Sequence, residues 1–311
     1  MSAPSEPAGD DIAAVRDNIQ GHLVGREREL RLTLAAVAAG RDIILEGPPG
    51  TSKTTLLRAI TQEWGIPLVF VEGNADLTPA RLVGHHNPAR VLREDYSAAN
   101  FVDGPLLSAM RSGGFLYIEE FNRAPEDTLN TLLTAMADRR IAVPLVGTIV
   151  AEPSFRIVAS MNPFDNVGTT RLSTSVHDRL CRLAVGYQDA PAERGIVRLR
   201  APMDELDTGL YERVVADAVA LTRMTRARDD IRQGSSVRGA IDLSLVAGEL
   251  LCMAGTTVDS TDYPEVMYDA MVVALSGRIF LDDTAETTPE AVLRQIWEDH
   301  FVLAPAAAEP G

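Results

Sequence analysis

Gly47-Pro48-Pro49-Gly50-Thr51-Ser52-Lys53-Thr54 follows the apolar run Ile43-Ile44-Leu45 and leads into a helical pattern, Leu56-Leu57-Arg58-Ala59-Ile60. A strand, a glycine-bearing loop and a helix in that order make a phosphate cradle. Glycines at 47 and 50 let the backbone curl so that its N–H groups converge on phosphate oxygens. The helix N-terminus adds partial positive charge at the same place. Lys53 is expected to reach the β- and γ-phosphates of a nucleoside triphosphate, and the Thr54 hydroxyl to ligate Mg²⁺. The expected cofactor-binding set is Gly47, Pro48, Pro49, Gly50, Thr51, Ser52, Lys53, Thr54 and Thr55. One position departs from G-x-x-x-x-G-K-[ST]: Ser52 stands where glycine precedes the lysine. A Pro/Gly turn followed by a chance lysine would read the same over eight residues, so the rest of the chain decides.

Two further strand tips supply the missing half. Phe115-Leu116-Tyr117-Ile118 is a hydrophobic strand that ends in Glu119-Glu120. A carboxylate at a buried strand tip beside a phosphate loop can hold Mg²⁺, and a second can orient and deprotonate water. Glu119 is assigned to magnesium and Glu120 to water activation. Aspartate is usual at the first of these positions; Glu119 adds a methylene, and chemistry at this scale is sensitive to displacement. A third strand, Phe155-Arg156-Ile157-Val158-Ala159-Ser160, ends in Met161-Asn162-Pro163. The Asn162 amide can donate to phosphate oxygen and accept from attacking water.

Around these motifs the chain alternates short apolar runs with amphipathic stretches. Strands are predicted at Asp42–Glu46, Leu68–Val71, Phe115–Ile118, Phe155–Ser160 and Cys181–Val185, all rich in Ile, Val, Leu and Phe without strict alternation. That is the pattern of a parallel sheet covered on both faces, with helices at Thr54–Trp64, Gly104–Arg111 and Pro125–Asp138. Residues 10–39 read as helical with a break at Leu23-Val24-Gly25-Arg26-Glu27, and Ile141–Val150 reads as a surface hairpin. After Tyr187 only helices are predicted: Pro191–Arg200, Tyr211–Arg226, Val237–Met253, Val266–Phe280 and Pro289–Phe301. The expected organisation is a disordered 1–9, an α/β nucleotide-binding domain at 10–188, a small all-helical lid domain at 189–304 and a disordered tail at 305–311.

Composition narrows the function classes. The 311 residues carry 29 basic and 44 acidic side chains, a formal charge of −15. Such a balance opposes non-specific nucleic-acid binding, although it leaves room for a local basic pore. No apolar run approaches membrane-spanning length, and Met1–Gly9 is polar and Pro-rich without a signal-peptide pattern. Cys181 and Cys252 lie far apart without ligand spacing and are expected to be buried thiols in a reducing cytoplasm. His85-His86 are adjacent in the chain, which favours loop histidines over a metal site.

Together Gly47–Thr54, the run Ile118-Glu119-Glu120-Phe121-Asn122-Arg123-Ala124-Pro125 and Ser160-Met161-Asn162-Pro163 resemble the AAA+ ATPases. More narrowly they resemble the MoxR branch with its relatives CbbQ, NorQ, GvpN and CoxD. That branch often carries a small residue before the P-loop lysine, as Ser52 does here. Further matches are Leu23-Val24-Gly25-Arg26, Asp76-Leu77-Thr78-Pro79 with Val83-Gly84, Phe101-Val102-Asp103-Gly104-Pro105-Leu106, and Gly168-Thr169 through Asp178-Arg179; the likeness spans about residues 20–240.

The resemblance implies an ATP- and Mg²⁺-dependent ATPase that works as a homo-oligomeric ring, by family habit a hexamer. It implies that Arg179 acts as an arginine finger in a neighbour's site and that Arg238, in Gly234-Ser235-Ser236-Val237-Arg238, contacts the γ-phosphate in cis from a lid helix. Ser173-Thr174-Ser175-Val176 and Leu180 depart from the family pattern here, so Arg171 and Arg182 stay open as fingers, with Arg123 a rival interface arginine. By resemblance the hairpin Ile141–Val150 and the insert His85–Asn100, with Arg90, Arg93, Glu94 and Asp95, are the moving parts. A partner with a von Willebrand A domain and a protein client, such as a metalloenzyme or complex to be matured, are implied in the same way. A metal-chelatase ATPase subunit and a nucleotide-dependent scaffold or switch are the alternatives; a nucleic-acid motor is disfavoured by the charge.

Overall fold

The computed structural model describes residues 18–19, 23–89, 98–163, 169, 171–255, 260–282 and 286–303. The expected disordered ends, the first part of the 10–39 helix, Gly168 and the insert residues Arg90, Arg93, Glu94 and Asp95 lie outside the described residues. The chain divides into two compact units, Met1–Gly186 and Tyr187–Gly311.

In the first unit the elements run α1 (Glu27–Ala38), β1 (Ile43–Glu46), α2 (Lys53–Glu63), β2 (Leu68–Glu72), α3 (Pro79–Val83), β3 (Gly84–His86), β4 (Phe101–Asp103), α4 (Pro105–Ser112) and β5 (Phe115–Glu119). Then come α5 (Glu126–Asp138), β6 (Arg140–Val143), β7 (Gly147–Val150), β8 (Arg156–Met161), α6 (Thr174–Arg179) and β9 (Cys181–Ala184). Five strands form one parallel sheet in the order β2-β5-β8-β1-β9. Side chains alternate across it. Ile44, Leu116, Ile118, Ile157 and Ala159 pack with Leu106, Leu107 and Met110 of α4 and Leu129 and Leu132 of α5. Ile43, Leu45, Phe115, Tyr117 and Val158 pack with Leu30 and Leu34 of α1 and Leu56, Leu57 and Ile60 of α2. Burying each such aliphatic side chain contributes about 1.5–3 kcal/mol, so the sheet is fixed by both layers.

Because three central strands are covered on both faces, β1, β5 and β8 read as unbroken apolar runs. The edge strands β2 and β9 depart from that expectation, being half-exposed or exposed over most of their length. The cysteine reading is corrected for the same reason. Cys181 opens the edge strand β9 and is exposed, and Cys252 is exposed as well. The base of the sheet is clamped by Asp42, whose buried carboxylate accepts from Arg139 Nη2 at 2.7 Å and from the Ile157 N–H at 2.8 Å. Burial pushes that carboxyl upward and the Arg139 guanidinium opposes the shift.

The β6–β7 hairpin is antiparallel, with Arg140 opposite Val150. Its turn donates Val146 N–H to Val143 O, with Leu145 at φ 64° and 68% exposed at the tip. β3 and β4 make a second antiparallel pair at the two ends of the His85–Asn100 segment.

The second unit holds α7 (Ala190–Arg200), α8 (Thr208–Met224), β10 (Ile231–Gln233), α9 (Val237–Ala254), α10 (Tyr263–Leu275), β11 (Phe280–Leu281) and α11 (Pro289–Phe301). Asp189, Asp207, Ser236 and Thr288 cap four of these helices with side-chain acceptors, which explains why their starts are legible. The unit is helical as expected, with one short strand pair that the pattern did not place. The helix predicted to run to Phe280 stops at Leu275, turns through Ser276–Arg278, and Phe280–Leu281 pairs antiparallel with Ile231–Gln233. A strand this short carries no period of its own.

Candidate nucleotide site

The carboxyl ends of β1, β8 and β5 lie side by side, so Gly47, Asn162 and Glu119-Glu120 gather at one end of the sheet. Gly47 N–H donates to Met161 O at 3.1 Å, which ties the loop entry to the tip of β8. A Cβ at Gly47 would stand 2.0 Å from Val185 O, so only glycine fits where the loop leaves β1. Within the loop Thr51 Oγ1 donates to Pro48 O at 2.9 Å. Lys53 Nζ donates to Gly47 O at 2.8 Å and Pro48 O at 2.9 Å, placing the ammonium inside the curl of the loop.

Ser52 takes φ 65° and ψ 22°, the left-handed conformation that glycine adopts freely. Its side chain makes no capping hydrogen bond to the helix that follows. The backbone shape of a glycine is therefore kept while the residue is not. Left-handed backbone costs an L-residue about 1–2 kcal/mol, and part of that is offset by glycine's greater unfolded freedom. Ser52→Gly is expected to stabilise the first unit by about 0.5–1 kcal/mol, read as a higher midpoint in thermal or urea unfolding; a lower midpoint contradicts the strain.

Across the loop, Thr54 Oγ1 donates to Glu119 Oε1 at 2.8 Å. The glutamate's extra methylene therefore does not keep its carboxylate from the threonine. A hydroxyl and a carboxylate are hard oxygen donors, and Mg²⁺ is held by one or two carboxylates plus substrate phosphates. The pair fits that ion. Among the described residues no three His, Cys, Asp or Glu side chains gather as a metal cluster; His85 is exposed on β3 and His86 stacks edge-on against Phe101.

Glu120 follows at φ 54°, ψ 42°, again left-handed. Its Oε2 stands 3.0 Å from Arg123 Nε as an ion pair that lacks hydrogen-bond alignment. Gly73, after β2, donates to Glu119 O at 2.7 Å, and a Cβ there would stand 2.3 Å from Glu120 O. Asn162 is half-buried after β8, its carbonyl 3.5 Å from Asn122 Nδ2. Asn122 itself is buried in the turn after Glu120.

The arginines divide. Arg179 ends α6 just before β9, exposed, with Nη1 donating to Ser175 O at 3.0 Å. Cys181, two residues on, pairs with Ile43 at the opposite end of β1 from Gly47. Four residues of strand separate these ends, about 13 Å, so Arg179 is not brought to the site of its own chain. Arg182 is engaged in cis, its Nε donating to the buried Glu46 carboxylate. Arg123 is engaged with Glu120, and Arg171 is exposed. Arg238 is exposed on the first turn of α9 in the second unit.

Sequence reading passed over Tyr117 and Ser160. Tyr117 Oη lies 3.1 Å from Thr54 Oγ1 and 2.9 Å from Ser160 Oγ, wholly buried. A phenol two residues before a carboxylate pair, in an otherwise apolar strand, was the available signal.

Residues 42–180 match the model of the AAA domain, dynein-related subfamily. The chain is 30% identical over 256 residues to the gas vesicle ATPase GvpN of Haloferax mediterranei, covering 77% of this chain and 69% of that protein. It is 28% identical to the gas vesicle ATPase GvpN of Ancylobacter aquaticus, over 82% of this chain and 72% of the other. Among solved structures, a protein named only as a candidate ATPase from Cytophaga hutchinsonii aligns at TM-score 0.51 and 21% identity, covering 92% of this chain and 93% of its own. RuvB of Thermotoga maritima aligns at TM-score 0.52 and 19% identity over 84% and 73%. At such identity these two structures speak to the fold alone.

Proposed function

The chain belongs to the AAA+ ATPase family, and we propose on that premise that it binds ATP with Mg²⁺ at Gly47–Thr55 and hydrolyses it as one subunit of a ring that remodels a protein partner. Its likeness to the GvpN proteins is consistent with the MoxR branch. The observation that carries the nucleotide reading is the 2.8 Å contact between Thr54 and Glu119, directly beside a loop that already holds the Lys53 ammonium.

Bound Mg²⁺ would supply charge neutralisation at the phosphate oxygens. The protein's own groups do the rest. Loop N–H groups and the start of α2 receive the phosphates, and Lys53 exchanges its loop carbonyls for phosphate oxygen. Thr54 and Glu119 are the residues that would hold the metal. Glu120 accepts the proton of the attacking water once it parts from Arg123, and Asn162 orients that water. Arg238 belongs to the proposal as the γ-phosphate arginine that the family resemblance implies. Arg179 serves a neighbouring subunit, which its place at the far end of the sheet favours.

Two relatives are named gas vesicle ATPases, which supports the ATPase reading; action on a protein assembly is part of the proposal. A von Willebrand A domain partner and a metalloenzyme or complex as client belong to this proposal, as does a cytoplasmic location. A switch with little hydrolysis is the second reading, favoured by the Glu120–Arg123 pair that occupies the catalytic carboxylate.

Equilibrium binding of a fluorescent ATP analogue, with and without Mg²⁺, tests the core of this reading. Lys53→Ala is expected to weaken binding by about 10–100-fold, since one charge-assisted contact to phosphate contributes about 1.5–3 kcal/mol. Undiminished binding in that variant, or none in the parent, would sink the nucleotide site. Mass measurement with and without ATP tests assembly.

A further inference from the structure

The hydroxyls of Thr54, Tyr117 and Ser160 beneath the loop have only one consistent arrangement of protons. Thr54 has a single O–H, and it donates to Glu119 Oε1, an acceptor-only carboxylate oxygen. In its contact with Tyr117 Oη at 3.1 Å, Thr54 can then only accept. Tyr117 has thereby spent its own proton, so at 2.9 Å it accepts from Ser160 Oγ. The chain runs one way: Ser160 to Tyr117 to Thr54 to Glu119.

This order follows from three adjacent elements. Tyr117 and Glu119 are two apart on β5 and so face the same side, that of α2. Ser160 comes from the neighbouring strand β8, two residues beyond Val158, which pairs with Tyr117. Thr54 is the second residue of α2. A phenol carries its proton throughout the neutral range and so serves as a donor there.

We propose that Tyr117 is a positioning residue for the magnesium site: its O–H occupies one lone pair of Thr54 and fixes the other for the metal. The inference rests on the nucleotide reading above. Without the phenol the threonine hydroxyl keeps Glu119 but can rotate about that one bond, and its remaining lone pairs lose a fixed direction. Tyr117 Oη contacts Thr54 and Ser160, so it acts through Thr54. Ser160 acts one bond further back, holding the phenol's oxygen so that its proton points at Thr54.

The test is the Mg²⁺ dependence of fluorescent ATP binding, titrated from an EDTA baseline, in the parent, Tyr117→Phe and Ser160→Ala. Removing such an outer partner of a metal ligand costs about 10-fold or more in metal affinity. Tyr117→Phe should raise the Mg²⁺ midpoint about 10-fold while leaving metal-free nucleotide affinity as in the parent. Ser160→Ala should shift the midpoint in the same direction by less. An unchanged midpoint in Tyr117→Phe overturns the proposal. So does equal weakening with and without Mg²⁺, which marks a packing role. A parent that binds nucleotide without responding to Mg²⁺ overturns the positioning role alone; a parent that binds none overturns the nucleotide site with it.

Discussion

Glu120→Gln is expected to bind ATP as the parent does and to lose about 100- to 10,000-fold in turnover, the usual contribution of a positioned general base. Glutamine keeps the length and the acceptor oxygen but cannot take a proton at neutral pH. The position is suited to the task. Glu120 stands one residue past the end of β5, in left-handed backbone, with Gly73 packed so closely against its carbonyl that a Cβ would not fit. Backbone in that region costs about 1–3 kcal/mol and persists where surrounding structure over-determines it. Its carboxylate is paired with Arg123, so Arg123→Ala provides the complementary experiment. If the pair restrains the base, that variant hydrolyses faster than the parent, and Glu120→Gln abolishes the gain. Single-turnover phosphate release separates the motor from the switch: a parent with no hydrolysis in the assembled state sinks the motor. A Glu120→Gln variant that still turns over at the parent rate would move the base elsewhere.

The shape of the Gly47–Thr54 loop and the buried strands were readable because local chemistry and tertiary packing agree there. Gly47 has no room for a side chain, and β1, β5 and β8 are covered on both faces, so each announces itself in composition. Ser52 shows the limit. Its letter departs from the loop pattern, while its backbone keeps the left-handed shape that the loop demands. Cys181 misled because burial was inferred from residue type, and an edge strand exposes what a central one hides. The β10–β11 pair escaped because two or three residues cannot show a period, and their pairing joins residues 50 apart in the chain. Tyr117 was invisible for another reason. Its function lies in which hydroxyl gives its proton to which, and a hydrogen-bond direction is a property of four residues on three elements.

Arg179→Ala is expected to lower turnover by about 1,000-fold or more, some 4 kcal/mol of transition-state stabilisation, while ATP binding falls little. The size follows from what a guanidinium does when it meets charge developing on a transferring phosphoryl group. The geometry says where it must act. Arg179 precedes β9 at the sheet's amino end, its Nη1 on Ser175 O, whereas Gly47, Glu119 and Asn162 crowd the carboxyl end. Arg182, nearer in sequence to that end, is tied to Glu46 within its own chain. A finger at Arg179 therefore demands a head-to-tail contact between subunits, the kind that closes into a ring. Mixing decides the matter. Arg179→Ala subunits keep their own Glu120, and Glu120→Gln subunits keep their finger, so neither works alone. In a random equal mixture a site has an intact base half the time and an intact neighbouring finger half the time, so about a quarter of sites, one half times one half, regain activity if the finger acts in trans. If it acts in cis, every site lacks one or the other and mixing restores nothing. Full activity of Arg179→Ala in a confirmed oligomer removes the assignment and leaves Arg171, exposed and ahead of α6, as the next residue to change.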